Sequence, residues 1–304
     1  MEQAFAGELK CHRCPECNGY GCPDMLPGLG GVMGGQNFQA NVEAWKELGE
    51  KIAAGAGGTV STPRQVSPSV IRCGPVTGAV ENIGFANEGD FYYPYLKNAY
   101  DAGFGLCIGD GCPDEKLKFG VAAVKQIKEE AGACSVSAAF FLKPYPQERL
   151  FERVEWVKPY ADYIGIDIDS YNILTMRNLV HLERKTAAQL EEFREKTQLP
   201  FVIKGVFTDA DIELVKEVHP EVVYISNHGG RVETRLGSTA EFLAQHAPEL
   251  KNYCKEIWVD GGIRTRADIN TALHYGADQV IMARSPIRAT FDEHYDEFLK
   301  ELGL

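Results

Sequence analysis

Several things are missing from this chain of 304 residues. There is no long apolar run. No segment reaches the ~20 apolar residues that a helix needs to span a bilayer, which excludes a helical membrane protein. There is no excess of positive charge: 31 Lys and Arg face 43 Asp and Glu, a net charge of −12. That sign repels nucleic acid and anionic membrane surfaces, so neither is expected as a partner. The start, Met1 to Lys10, lacks the apolar stretch of a secretory signal, and a cytoplasmic location is expected. A Gly-rich dinucleotide turn is also absent after the first apolar run, where Gly74-Pro75-Val76 stands instead, which disfavours an open doubly wound sheet.

What is present is regular. Eight short apolar runs recur, around Val70-Val76, Phe104-Ile108, Cys134-Leu142, Tyr163-Ile168, Phe201-Val206, Val222-Ile225, Ile257-Val259 and Gln279-Met282. Amphipathic segments lie between them, among them Pro113-Glu130, Gln147-Val157, Thr186-Lys196, Asp209-Val218, Ser238-Tyr253 and Thr265-Tyr275. Alternating strand and helix predicts a parallel sheet with crossover helices. Eight units of this size fit a (β/α)8 TIM barrel, in which functional residues sit at the C-terminal strand ends. The barrel is expected over residues 66–304. Residues 1–65 form a Cys-rich and Gly-rich N-terminal segment with one predicted helix, Asn37 to Ala53. The stretch 27–35 holds five glycines but follows no predicted strand, so it reads as a lid or a close-packed turn rather than a phosphate loop.

The polar residues at the predicted strand ends converge on one rim: Asp167 and Asp169, Lys204, Ser226 to Arg231, Asp260 to Arg264, and Arg284. In Ser226-Asn227-His228-Gly229-Gly230-Arg231, a His that can take a proton stands three residues before an Arg that can clamp a carboxylate. That pairing points to chemistry on a small organic acid. Asp260-Gly261-Gly262-Ile263-Arg264 and Ala283-Arg284-Ser285 follow strands seven and eight, where barrels commonly bind phosphate through backbone N–H groups and cations. The glycines would let the backbone approach the phosphate, and Asp260 would accept from a sugar or ribityl hydroxyl.

Four of the nine cysteines, Cys11, Cys14, Cys17 and Cys22, have the spacing CxxCxxCx4C followed by a proline. In a reducing compartment such a cluster reads as a metal site rather than a disulfide framework. The spacing suits an iron–sulfur cluster or tetrahedral zinc, and thiolates alone do not separate soft metals.

The stretch Phe201-Val202-Ile203-Lys204-Gly205-Val206, with Ser226-Asn227-His228-Gly229-Gly230-Arg231, Val259-Asp260-Gly261-Gly262-Ile263-Arg264 and Ala277-Asp278 to Arg284, resembles the FMN-dependent 2-hydroxyacid oxidase and dehydrogenase family. The resemblance is strong over residues ~200 to 290 and weak before them. It implies FMN as cofactor, a homo-oligomer, and oxidation of a small L-2-hydroxy acid such as lactate or glycolate. The Cys-rich segment favours a dehydrogenase with an unidentified acceptor other than oxygen. By the same resemblance His228 is the base, Asp169 its partner, Arg231 the carboxylate clamp and Arg177 a second substrate arginine. Lys204 sits by the flavin N1/C2 carbonyl. Pro75, Thr77, Ser226, Asp260, Gly261, Gly262, Arg264, Ala283 and Arg284 contact the cofactor. The family's strand-three Gln and Tyr are replaced, with Ala139 and Phe141 at the expected positions. Two other readings stay open: a redox-neutral flavin-barrel isomerase of the type 2 isopentenyl diphosphate class, and a non-catalytic flavin or metal sensor.

Overall fold

A computed structural model describes residues 36–55, 66–83, 85–132, 137–172, 180–232 and 234–304. Cys11, Cys14, Cys17, Cys22, the Gly-rich stretch and Arg177 lie outside them. Eight parallel strands form one sheet: β1 (Ile71–Cys73), β2 (Leu106–Gly109), β3 (Ala138–Leu142), β4 (Tyr163–Asp167), β5 (Phe201–Val206), β6 (Val222–Ile225), β7 (Glu256–Val259) and β8 (Gln279–Met282). From β2 to β8 each strand pairs with the next in sequence, and β1 pairs with β8. Hydrogen bonds from Cys73 N to Gly105 O and from Gly105 N to Ile71 O, both 2.9 Å, join β1 to the start of β2. The sheet is thus a nearly closed (β/α)8 barrel.

The crossover helices include α2 (Tyr92–Asp101), α3 (Glu115–Ala131), α4 (Gln147–Val157), α5 (Ala187–Thr197), α6 (Asp209–Val218), α7 (Thr239–Leu250) and α8 (Arg266–His274). Two more, α9 (Arg284–Phe291) and α10 (Tyr295–Leu302), end the chain. Local sequence sets where α5 to α8 begin. Each opens on Thr or Ser with an acid or amide three residues later: Thr186–Gln189, Thr208–Asp211, Ser238–Glu241 and Thr265–Asp268. Each pair closes a capping box, which satisfies N–H groups that the helix itself leaves unbonded.

Strand periodicity sorts the side chains. Those facing outward meet the helices in the main apolar core. Those facing inward fill the barrel with Cys107, Ala139, Phe141, Val202, Val222, Tyr224, Trp258 and Ile281. Phe141 meets Tyr224 edge-on at 5.4 Å between ring centroids. Gly165 gives Phe141 its room, since a Cβ there would lie 3.0 Å from the Phe141 ring. One step further along each strand, the same period of two turns Lys143, Asp167, Lys204, Ser226 and Asp260 toward the barrel axis at its C-terminal end.

The predicted N-terminal helix is α1 (Gln36–Ala53), and it belongs with the barrel. Its buried stripe, Asn37, Phe38, Asn41, Ala44, Trp45 and Leu48, packs on α7 and α8 and on the turn after β6.

At the opposite end of the barrel Arg72 is buried across the β1–β2 seam. Its guanidinium donates to Gln279 Oε1 at 3.0 Å and to the carbonyls of Leu106 and Ser137 at 3.2 and 3.1 Å. It also lies 4.3 Å from the Trp258 ring centroid. Removing it strands several buried acceptors and opens a cavity. Arg72→Ala is expected to cost roughly 2–4 kcal/mol. Urea unfolding with an unchanged m-value measures this, and a loss below about 1 kcal/mol would show that the seam closes without the guanidinium.

Candidate active site

The C-terminal rim encloses a cavity of about 1360 Å³, its open mouth included. Pro75, Thr77, Lys204, His228, Arg231, Asp260, Gly261, Gly262, Arg264, Ala283 and Arg284 all line it. Asp169 lies directly behind His228. Ser226 is fully buried beneath the rim, where its Oγ donates to Asp260 Oδ2 at 2.9 Å and accepts from His228 N at 3.2 Å.

His228, Gly229 and Gly230 follow β6 as a single turn with φ of 56°, 63° and 90°. Only glycine takes this left-handed region without strain, so His228 is held there by its surroundings. Asn227 Oδ1 accepts from Gly230 N at 2.9 Å and from Asn41 Nδ2 of α1 at 2.8 Å. Asn41 Oδ1 in turn accepts from Asn227 Nδ2 at 3.2 Å and Thr239 N at 2.9 Å. One helical turn earlier, Asn37 donates to the carbonyls of Val232 and Arg235 and accepts from Gly237 N. Two buried amides on α1 thus hold the segment from Asn227 to Thr239 at both ends.

The same helix explains the glycines. A Cβ on Gly262 would lie 1.9 Å from Asn41 O, and one on Gly230 would lie 2.4 Å from Phe38 N. A Cβ on Gly261 would meet Thr239 Oγ1 at 2.6 Å. The glycine at 262 therefore leaves room for α1, and the one at 261 for Thr239 of α7 and Asn41 of α1, while both still line the cavity. Trp45 Nε1 closes the contact with a 2.6 Å bond to Gly261 O.

The ionisable groups form one cluster. His228 Nδ1 is 2.8 Å from Asp169 Oδ2, and His228 Nε2 is 3.1 Å from Asp167 Oδ2. Lys204 Nζ lies 2.7 Å from Asp167 Oδ1, and Lys143 Nζ lies 3.2 Å from Asp167 Oδ2. Burial drives the Asp167 carboxyl up, but the charge on His228, then Lys204 and Lys143, outweighs it and holds the group well below the usual carboxylate range. Asp169 goes the other way: burial, with Asp167 beside it, raises it against the pull of His228. Gly205 makes this approach possible, because a Cβ there would sit 2.5 Å from Asp169 Oδ1. The three ligand atoms of Asp167, Asp169 and His228 lie within 4.8 Å, a spacing a metal could use. Two ammonium groups on Asp167 already neutralise it, and their charge opposes a divalent ion there.

Arg231 has no carboxylate partner among the described residues; its one hydrogen bond is a 3.5 Å contact with His228 O. Burial pulls its pKa down to about 10, the cost of a guanidinium held away from water without a full counter-charge. A carboxylate entering the cavity supplies that charge. Near Arg264 and Arg284, α9 begins at Ala283 with no side-chain cap, unlike α5 to α8. Its first N–H groups, with two guanidiniums beside them, make an anion site. Asp260 accepts from Tyr224 OH at 2.8 Å and from Ser226, while its buried Oδ1 has no partner among the described residues. That oxygen can take a hydroxyl donor.

On strand three the expected pair shifts. Phe141 and Lys143 face the cavity, and Ala139 lies deeper in the barrel interior, because inward residues alternate and the strand ends only at Leu142. After strand two, Asp110 lines the cavity beside buried Arg153 (3.1 Å), and burial raises its pKa to about 6. Asp110, Asn37 and Asn41 escape the sequence reading. So do Asp167 and Lys143 as parts of this cluster. For Asp167 a signal existed, since it stands two residues before Asp169 on one strand end and so faces the same way.

Removing the Asn41 side chain leaves the Thr239 N–H and the Asn227 amide unpaired. Asn41→Ala is expected to cost on the order of 2–3 kcal/mol and to speed amide exchange across residues 227–239. Exchange there at the wild-type rate would remove α1 from the support of this turn.

Residues 151–294 match the family model described as FMN-dependent dehydrogenase. The chain is 35% identical over 95 residues to 2-hydroxyacid oxidase 2 of Bos taurus, covering 31% of this chain and 27% of that protein. It is 39% identical over 103 residues to the L-lactate dehydrogenase (cytochrome) of Saccharomyces cerevisiae, covering 33% of this chain and 17% of that protein. The matched stretch thus spans about a quarter or less of these relatives' length. In fold, the chain is similar to mandelate oxidase solved with (S)-2-phenylpropionate, with a TM-score of 0.65 and 18% identity over 89% of this chain and 83% of that one. Over residues 151–294 the chain is thus similar in sequence to FMN-dependent dehydrogenases and 2-hydroxyacid oxidases, and its barrel is similar in fold to that of mandelate oxidase.

Proposed function

We propose that this protein binds FMN at the barrel rim and oxidises a small L-2-hydroxy acid to the 2-oxo acid, passing the electrons to an acceptor other than oxygen. One observation carries the reading. His228, held by Asp169, and Arg231, with no carboxylate partner among the described residues, face one cavity from a single turn. A base and a carboxylate clamp at that spacing suit an acid bearing a hydroxyl on the adjacent carbon.

The residues present fit the cofactor. Arg264, Arg284 and the uncapped start of α9 would hold the phosphate, and the free Asp260 Oδ1 would accept from the ribityl chain. Lys204 places a fixed cation in the same cavity. Bound FMN supplies the electron sink that no side chain can provide. Arg231 would bind the substrate carboxylate and fix the hydroxyl toward His228. The imidazole then takes the hydroxyl proton at Nε2, and Asp169 stabilises the imidazolium through Nδ1. The relatives' names, 2-hydroxyacid oxidase and L-lactate dehydrogenase, support the substrate class.

An anaerobic absorption spectrum before and after addition of L-lactate, glycolate and longer 2-hydroxy acids tests the reading. Flavin bands that bleach with one acid are expected. Purified protein without flavin after reconstitution with FMN, or flavin that no acid bleaches, would overturn it. Rapid reoxidation by oxygen would make the protein an oxidase.

His228→Ala should keep the flavin while slowing its reduction by about 10² to 10⁴, the usual weight of a general base. Reduction at the wild-type rate would take His228 out of the chemistry.

The four leader cysteines carry a separate part of the proposal, a relay of single electrons through bound metal. Cys17→Ser is expected to abolish bound iron or zinc, measured by metal analysis, with flavin content unchanged. No metal in the wild-type protein, purified without chelators under anaerobic conditions, or zinc in place of iron, would end the relay, because zinc carries no electrons.

A further inference from the structure

His228 is held at both ring nitrogens by buried carboxylates, Asp169 on Nδ1 and Asp167 on Nε2. A neutral imidazole has one N–H and one bare nitrogen, so it donates to a single ionised carboxylate. With Asp167 and Asp169 both ionised, both nitrogens must donate, and the ring is an imidazolium. Asp169 fixes Nδ1, which leaves Nε2 as the nitrogen a reacting hydroxyl can reach. Asp167 sits on that nitrogen.

We propose that Asp167 is a second proton-holding partner of His228: it keeps the ring charged at rest, competes with the incoming hydroxyl for Nε2, and must be drawn aside before the ring acts as a base. The hydroxyl in this statement rests on the hydroxy-acid reading above. The doubly held ring does not, since it concerns the protein alone.

The charged groups around His228 come from every neighbouring strand end. Asp167 ends β4 and Asp169 follows it, Lys204 lies near the end of β5, Asp260 follows β7, Lys143 follows β3 and stands behind Asp167, and Arg284 approaches at Gly229. Arg231 lies three residues along the same turn. Burial alone would lower the His228 pKa, and Lys204 lowers it too, but Asp167 and then Asp169 outweigh both and raise it above the ordinary histidine value. Lys204 and Lys143 also give Asp167 somewhere to go. They hold its oxygens at 2.7 and 3.2 Å, so the carboxylate can leave Nε2 without losing its counter-charges.

The proton count follows. The imidazolium must first release its Nε2 proton to solvent. The neutral ring, still donating from Nδ1 to Asp169, then takes the substrate's hydroxyl proton at Nε2. Oxidation therefore rises with pH through the raised His228 pKa rather than through an ordinary one. Asp167 acts through His228 and is a positioning residue, so its removal lowers the His228 pKa and moves the rising limb toward acid.

The test is an NMR titration of the full-length, FMN-loaded protein with ¹³C-labelled histidine, the His228 signal being identified by its absence in His228→Gln. In the wild type, His228 should titrate above about 6.5, the free histidine value. In Asp167→Asn it should titrate lower by about 1 to 3 pH units, the usual effect of one adjacent opposite charge. Asp167→Glu, which keeps the charge, should restore the high value. The pH limb of flavin reduction by the active hydroxy acid should move with the titration in each variant. A wild-type His228 that titrates at or below 6.5 overturns the inference even if neither Asp167 variant folds. So does an Asp167→Asn protein whose His228 titrates like the wild type. If no hydroxy acid reduces the flavin, the functional reading fails, while the titration still decides the role of Asp167.

Discussion

The turn at His228-Gly229-Gly230 passes through the left-handed region at three consecutive residues, and the rim depends on that turn keeping its shape. A strand that simply ran on would send His228 and Arg231 to opposite sides, because successive residues alternate. The left-handed turn brings both to the cavity within four residues. It costs on the order of 1–2 kcal/mol at His228, the one member that is not glycine. What offsets this is polar and buried: Ser226 on the His228 N–H, Asn227 on the Gly230 N–H, and Asn41 of α1 locking Asn227 from outside. A chain of amides thus links a helix that precedes the barrel to the turn that carries His228 and Arg231.

That dependence explains which parts of the molecule could be read from its sequence. The eight strands were legible because apolar runs separated by amphipathic segments leave few packings other than a closed barrel. The rim positions of Lys204, His228 and Asp260 followed from strand ends alone. The support for His228 was not legible, because Asn37 and Asn41 look like ordinary polar positions on a helix until it is known which face is buried. Nor did a local pattern show that Gly230, Gly261 and Gly262 are bare because α1 lies against them. Glycine records a close approach but does not say by what. On strand three the period of two was right and its endpoint was not, so Phe141 and Lys143 occupy the places expected for Ala139 and Phe141.

Lys143 changes the electrostatics as well as the register. It joins Lys204 on Asp167, and Asp167 in turn reaches His228. A single carboxylate therefore carries two ammonium groups and an imidazole in a buried layer, with Asp169 as the second anion. Burying so much charge is tolerable only when each group has a counter-charge at hydrogen-bond distance. The layer meets that condition within itself. It leaves Lys204, a cation the resemblance assigns to the flavin, tied to a protein carboxylate, so a bound cofactor would share that ammonium with Asp167.

Arg231 is the exception in the layer. Its neighbours offer a carbonyl at 3.5 Å but, among the described residues, no carboxylate in hydrogen-bond contact; burial lowers its pKa and the charge of Asp260 offsets this only in part. An arginine so placed contributes little to folding, since desolvating a guanidinium without a counter-charge is unfavourable. Its interaction is realised when an anion arrives, and the gain is larger for an anion that can accept two parallel N–H bonds. Lys204 and Lys143 are not placed as it is, because both are already held by Asp167. In the proposed reaction the substrate carboxylate would therefore be met at one point of the rim, Arg231. His228 stands three residues away, and its usefulness as a base depends on how firmly Asp167 holds its proton.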